Sequence, residues 1–229
     1  MRQTANGPAI YRGDEPLGLE WKQVSLAWIV LIPILLFGVS IDGHAQTVEP
    51  LDLNGKLRFH AERSFGTIAV GGSGLRAGFL QLTDSPSEWG QGASGYGKRV
   101  SSSMASNGIR GVLAFGLDSM LHQDPRYYPS LSTRFWQRAK HSLRGTVLTR
   151  TDAGRETVST WRLGSAYGAA FVSNQWHPDR FHTVRHGVTG GSIRLGFDLV
   201  NNMAAEFWPD VKRKLLRRAT GSQAMRGDR

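Results

Sequence analysis

Residues 184–207, VRHGVTGGSIRLGFDLVNNMAAEF, decide the fold. Val184, Val188, Gly191, Ser192, Leu195, Leu199, Met203 and Phe207 recur at intervals of three and four, the rhythm of one helical face. Ile193, Leu195, Phe197 and Leu199 also alternate as a strand would, but that run is short beside the helical match. The stretch therefore predicts a long helix with one apolar face. Trp208-Pro209 should break or kink it, because proline lacks the amide hydrogen and crowds the preceding turn.

Upstream, the same reading repeats with glycine as its recurring element. Residues 157–172 carry Gly164 and Gly168 four apart, and Trp176-His177-Pro178 ends that segment. Ser132-Thr133 offers a cap to a helix through Phe135, Trp136, Ala139, Leu143 and Val147, with a turn at Thr151-Asp152-Ala153-Gly154 beyond it. Residues 100–121 place Met104, Ile109, Val112, Leu113 and Leu117 on one side of a helix. Between Phe65 and Leu82 the glycines Gly71, Gly72, Gly74 and Gly78 predict a helix with one narrow face, and Leu53-Asn54 offers a cap for a short first helix. Each interior glycine costs a helix about 1 kcal/mol relative to alanine, and close backbone approach between helices is the compensation. The expectation is an all-α fold, a single compact bundle of five or six Gly/Ala-faced helices. Gly164, Gly168, Gly187 and Gly191 should lie at helix–helix contacts.

The 229-residue chain suffices for one domain and carries a formal charge of +10, which suits an anionic partner. It has no cysteine, so disulfides, thiolate catalysis and cysteine-ligated metal sites are excluded. Residues 24–41 are almost wholly apolar, preceded by Lys22 and followed by Gly43 and Ala45. Small residues at those two places fit a signal-peptidase site, and the reading favours a signal peptide over 1–45. The competing reading is a membrane anchor over 24–41, since about 18 apolar residues is the lower limit for a span. Either sends the rest out of the cytoplasm, to the periplasm or cell envelope, as a helical domain over 46–218 with a disordered tail at 219–229.

Three motifs carry a resemblance. They are EWGQGASGYGKR at 88–99, LHQDPRYY at 121–128 and AEFWPDVKRKL at 205–215. The chain resembles a family of small exported bacterial proteins of uncharacterised role that share these signatures. The resemblance implies export and a compact helical domain, and it supplies no substrate or catalytic residue.

The candidate chemistry is sparse. His122, Asp124 and Arg126 offer an acid–base pair with an anion clamp, since a carboxylate beside a histidine fixes its tautomer. A helix stop whose side chains satisfy loose backbone groups explains them more simply. His182 and His186, four apart, share a helix face as two metal ligands would, but Thr183 stands where a zincin places its glutamate. The glycines from Gly90 to Gly97 lack the Lys-Ser/Thr ending of a phosphate loop and predict a flexible connection packed by Trp89 and Tyr96. Ser101, Ser102 and Ser103 fit a capped helix start better than a nucleophile. Lys212, Arg213, Lys214, Arg217 and Arg218 form a basic end suited to membrane lipid or another envelope component, rather than nucleic acid. No cofactor is expected. The function these features support is an exported, envelope- or membrane-associated helical protein without enzymatic activity. The alternative is a periplasmic hydrolase or metal-dependent enzyme using His122, Asp124 and Arg126, or His182 and His186.

Overall fold

Asp52 begins the first described helix: its carboxylate accepts from the Gly55 amide at 2.7 Å and caps α1, Leu53–Phe65, one position earlier than the Leu53-Asn54 pair suggested. The computed structural model describes residues 49–224, with side chains to residue 214. The signal or anchor over 1–45 lies outside the described residues. Gly66 separates α1 from α2, Thr67–Leu82, and a 3-10 turn at Ser87–Trp89 leads into α3, Gly92–Met120. A two-residue strand β1, Gln123–Asp124, precedes α4, Phe135–Val147. Strands β2, Leu148–Thr151, and β3, Glu156–Val158, form a hairpin, with Gly154 in the left-handed region at φ 78°. Then come α5, Thr160–Asn174, a 3-10 turn at Asp179–Phe181, and α6, Val184–Ala224. The fold is an all-α bundle of six described helices with one small antiparallel sheet, ordered β1-β2-β3.

Several local expectations change. The sheet escaped the helical reading because its strands are short and half-buried; the Thr151–Gly154 turn is their connection. The glycine loop is not a flexible connection. From Gly92 onward it is the first turn and a half of α3, so Ser101, Ser102 and Ser103 sit mid-helix rather than at a start. Its preceding bend closes around Arg99, which is 1% exposed. The Arg99 guanidinium donates to the carbonyls of Ser85 (3.0 Å), Pro86 (2.9 Å) and Gly90 (2.7 Å) and to Gln81 Oε1 (2.7 Å). Four acceptors for one fork-shaped donor set fix the bend. The α4 cap is Arg134, whose amide donates to Ser132 Oγ at 3.2 Å. Pro209 lies inside α6 without ending it, and the helix continues to Ala224.

The four glycines expected at contacts are there. A Cβ at Gly164 or Gly168 would meet the Leu117 or Leu113 side chain of α3 at 2.7 or 2.9 Å, and at Gly187 or Gly191 it would overlap the ring of Phe171 or Tyr167 of α5. Three of the α2 glycines do otherwise: among the described residues nothing lies within 4 Å of a Cβ at Gly71, Gly72 or Gly78, whereas one at Gly74 would meet Tyr96 Oη at 3.3 Å.

The buried stripe of these helices is not their apolar one. On α6 the buried positions are Gly187, Gly191, Asp198, Asn202, Ala205 and Glu206, while Val184 and Val188 are exposed. On α1 they are Lys56, His60 and Ser64, with Leu53 and Leu57 outside. On α3 they are Gly95, Arg99, Ser102, Ser106, Gly111, Ala114 and Asp118, while Val112 is 71% exposed. The period is helical, as expected, but small and polar residues occupy the inner stripe. Small residues bring backbones close enough for charged side chains to meet across the interfaces.

Candidate functional site

The polar interior is a set of ion pairs that join helices distant in sequence. His60 Nε2 of α1 lies 2.5 Å from Asp118 Oδ2 at the end of α3, against the edge of Trp161. Lys56 Nζ, one turn earlier, meets Asp152 Oδ2 of the hairpin turn at 2.8 Å. Asp198 of α6, 1% exposed, receives Arg63 of α1 at 2.9 Å and Arg110 of α3 in a shorter contact. Burial alone would raise the Asp198 carboxyl, but the charges of Arg110, Arg63 and Arg162 hold it below the ordinary value. Eight residues on, Glu206 takes Tyr127 Oη at 2.7 Å, the Ser130 amide at 2.8 Å and Arg138 Nε at 3.3 Å, with His141 Nδ1 2.9 Å away. Asn202 between them donates to Thr146 Oγ1 at 3.0 Å. Arg194, Asp198, Asn202 and Glu206 thus repeat every four residues down one side of α6. That spacing was legible in the sequence as polar residues at period four, masked by the apolar series beside it.

Asp124 and Arg126 come together, and His122 does not join them. The Asp124 carboxylate accepts from Arg126 Nη2 at 2.7 Å, from the Arg126 amide at 3.0 Å and from Tyr128 Oη at 2.7 Å. Burial raises its pKa, and these bonds outweigh burial and hold it below the ordinary value. Arg126 also reaches the Glu49 carbonyl at 2.9 Å, tying the start of the described chain to this turn. His122 is exposed with φ 50°, and its carbonyl accepts from the Asp152 amide at 2.8 Å. Gln123, singled out by no motif argument, links the sheet to α5: its Nε2 donates to the Val158 carbonyl at 2.8 Å and its Oε1 accepts from the Trp161 amide at 3.2 Å.

The histidine pair also separates. His182 Nε2 donates to the His177 carbonyl at 2.9 Å, whereas His186 packs edge-on against Phe181 with ring centroids 4.5 Å apart. His177 stacks on Trp89 at 5.0 Å, and burial lowers its pKa. No group of three or more metal-ligating side chains occurs among the described residues. At the basic end Lys212 and Lys214 are exposed, and Arg213 binds Asp210 at 2.5 Å. The side chains of Arg217 and Arg218 lie outside the described residues.

Motif reasoning missed a basic cavity of about 290 Å³ between the 126–128 turn, α4, the hairpin and α5. Arg126, Arg144, Arg150 and Arg162 line it with Tyr127, Tyr128 and His141, and Glu156 is the one acidic residue among them. Its four arginines come from four separate stretches of chain, so no local motif announces it. No protein-family model, curated protein or solved structure matches this chain.

Proposed function

We propose that this chain is an exported, envelope-associated helical protein with a non-enzymatic role, held at a lipid surface by an apolar exterior and a basic end. The observation that carries the reading is the inverted distribution of side chains. Among the described residues the buried hydrophobic side chains are six alanines and Trp161, while Leu82, Val112, Leu131, Trp136 and Val184 are 71–88% exposed. In water each large apolar side chain left outside forgoes about 1.5–3 kcal/mol of burial, so a surface of this kind suits contact with an apolar medium. Charges paired inside and small residues at helix contacts are the arrangement helices use in lipid. No described helix is long and apolar enough to cross a membrane, so the contact proposed is interfacial. The apolar segment at 24–41, outside the described residues, supports delivery to the envelope.

The enzyme alternative has less support. His122 stands apart from the Asp124–Arg126 pair, and that pair is closed by its own turn. His182 and His186 have different partners.

Vesicle co-sedimentation tests the reading. Binding to anionic vesicles should exceed binding to neutral ones at low salt. High salt should remove that excess, since screening acts over about 8 Å at physiological strength. A salt-resistant fraction, due to apolar contact, should remain on both. Replacing Lys212, Arg213 and Lys214 with glutamine should abolish the excess and leave the resistant fraction. Absence of the protein from both vesicle pellets would contradict the proposal.

A further inference from the structure

The arginine-lined cavity is unevenly neutralised. Arg126 is paired with Asp124 at 2.7 Å, and Arg144 is paired with Glu156 at 2.6 Å. Arg150 makes no side-chain hydrogen bond or ion pair among the described residues, and its guanidinium lies over the Tyr128 ring, 5.3 Å from the centroid. Arg162 is 2% exposed, donates through Nη1 to the Gly145 carbonyl and keeps a buried Nε with no partner. Lys56 and His60 each meet a carboxylate and Arg99 a ring of carbonyls, whereas Arg194, which lies outside this cavity, has the Ser106 hydroxyl and the Gly190 carbonyl. Arg162 lies over the Trp161 ring, 4.7 Å from the centroid, but no acid touches it; a buried guanidinium without one is costly, and a bound anion would offset that cost. Burial accordingly draws the Arg162 pKa down to about 10, with Asp198 acting on it only through its charge.

We propose that this cavity is a binding site for a phosphate-bearing anion, received by Arg150 at the rim and Arg162 at the floor. The fork of a guanidinium matches two oxygens of a phosphate at once, and two forks unpaired with acids supply the charge for a mono- or dianion. Tyr128 Oη is committed to Asp124, so its ring serves as a platform that fixes Arg150 rather than as a ligand. The volume, about 290 Å³, admits phosphate carrying a small organic group. The phosphate could arrive free in solution or as a lipid headgroup. The site goes beyond the surface contact proposed above, and its test uses soluble ligands, so either idea can fail alone.

The full chain is titrated calorimetrically in phosphate-free buffer with inorganic phosphate, glycerol 3-phosphate and monomeric short-chain phosphatidate, with chloride as the control. Saturable binding of at least one phosphate compound is expected, together with a rise in Tm on saturation. Binding of the inorganic or glycerol ester identifies a soluble source, and binding of phosphatidate alone identifies a headgroup. R150Q, at an exposed position, should retain the Tm of the unliganded protein and bind at least about tenfold more weakly, with R150K intermediate. R162Q gives a second reading where it folds, with a similar loss of affinity. No saturable binding by any of the three compounds would overturn the proposal. Equal affinity of the unmodified chain and R150Q would overturn it too.

Discussion

Asp198 is a carboxylate with two arginines in contact and almost no water, and it shows how much of this fold depends on single buried charges. Asp198→Asn keeps the shape and removes the charge, leaving Arg63 and Arg110 without their acid. Breaking one member out of a buried ionic set costs about 3–5 kcal/mol, so thermal unfolding should show a large loss of Tm. The pH dependence has a defined sign. The pKa of Asp198 is held below its ordinary value of 3.8 in the folded chain, so the unfolded chain takes up this proton first as pH falls. The stability it contributes is complete above about pH 4 and disappears as pH drops through the folded-state value. Tm measured from pH 6 to pH 3 should therefore fall steeply at the acid end, and less steeply in Asp198→Asn. An unchanged acid slope would place the acid sensitivity elsewhere. His177 adds an earlier, gentler decline below its ordinary value of 6.5, because burial favours its neutral form in the folded state.

At the scale of the element, the glycines divide into two kinds that the sequence alone does not separate. Gly168→Leu forces a side chain against Leu113 and should lower Tm, as should Gly191→Leu against the Tyr167 ring. Gly78→Ala meets nothing within 4 Å among the described residues, and it should raise stability by about 0.5–1 kcal/mol through helix propensity alone. A loss of stability in Gly78→Ala, measured in the same thermal experiment, would show that α2 packs differently. The contrast also marks how far the sequence could be followed. The periods of α5 and α6 were legible, because Gly164, Gly168, Gly187 and Gly191 combine spacing with apolar neighbours. The polarity of the inner face was not, because periodicity identifies a stripe without saying which side of it meets the other helices. The three strands were too short to compete with helical patterns around them. The arginine cavity was invisible, since Arg126, Arg144, Arg150 and Arg162 converge only after the hairpin forms.

For the whole molecule, the apolar stripes on the outside are the surface proposed to face lipid. Leu75 on α2, Leu143 on α4 and Val188 on α6 are 45–56% exposed and belong to three different helices. The chain has no cysteine, so a single substitution to cysteine at each position yields one spin-labelling site without further changes. A pair of matched controls at Lys98 and Arg155, exposed polar positions, calibrates the aqueous response. The decisive measurement is label accessibility to oxygen, which concentrates in lipid, against a water-soluble nickel chelate, with and without anionic vesicles. Labels at the apolar positions should become more accessible to oxygen and shielded from the chelate when vesicles are added, while the controls remain open to it. Equal exposure to the chelate with and without vesicles at all three apolar positions would rule out the lipid contact.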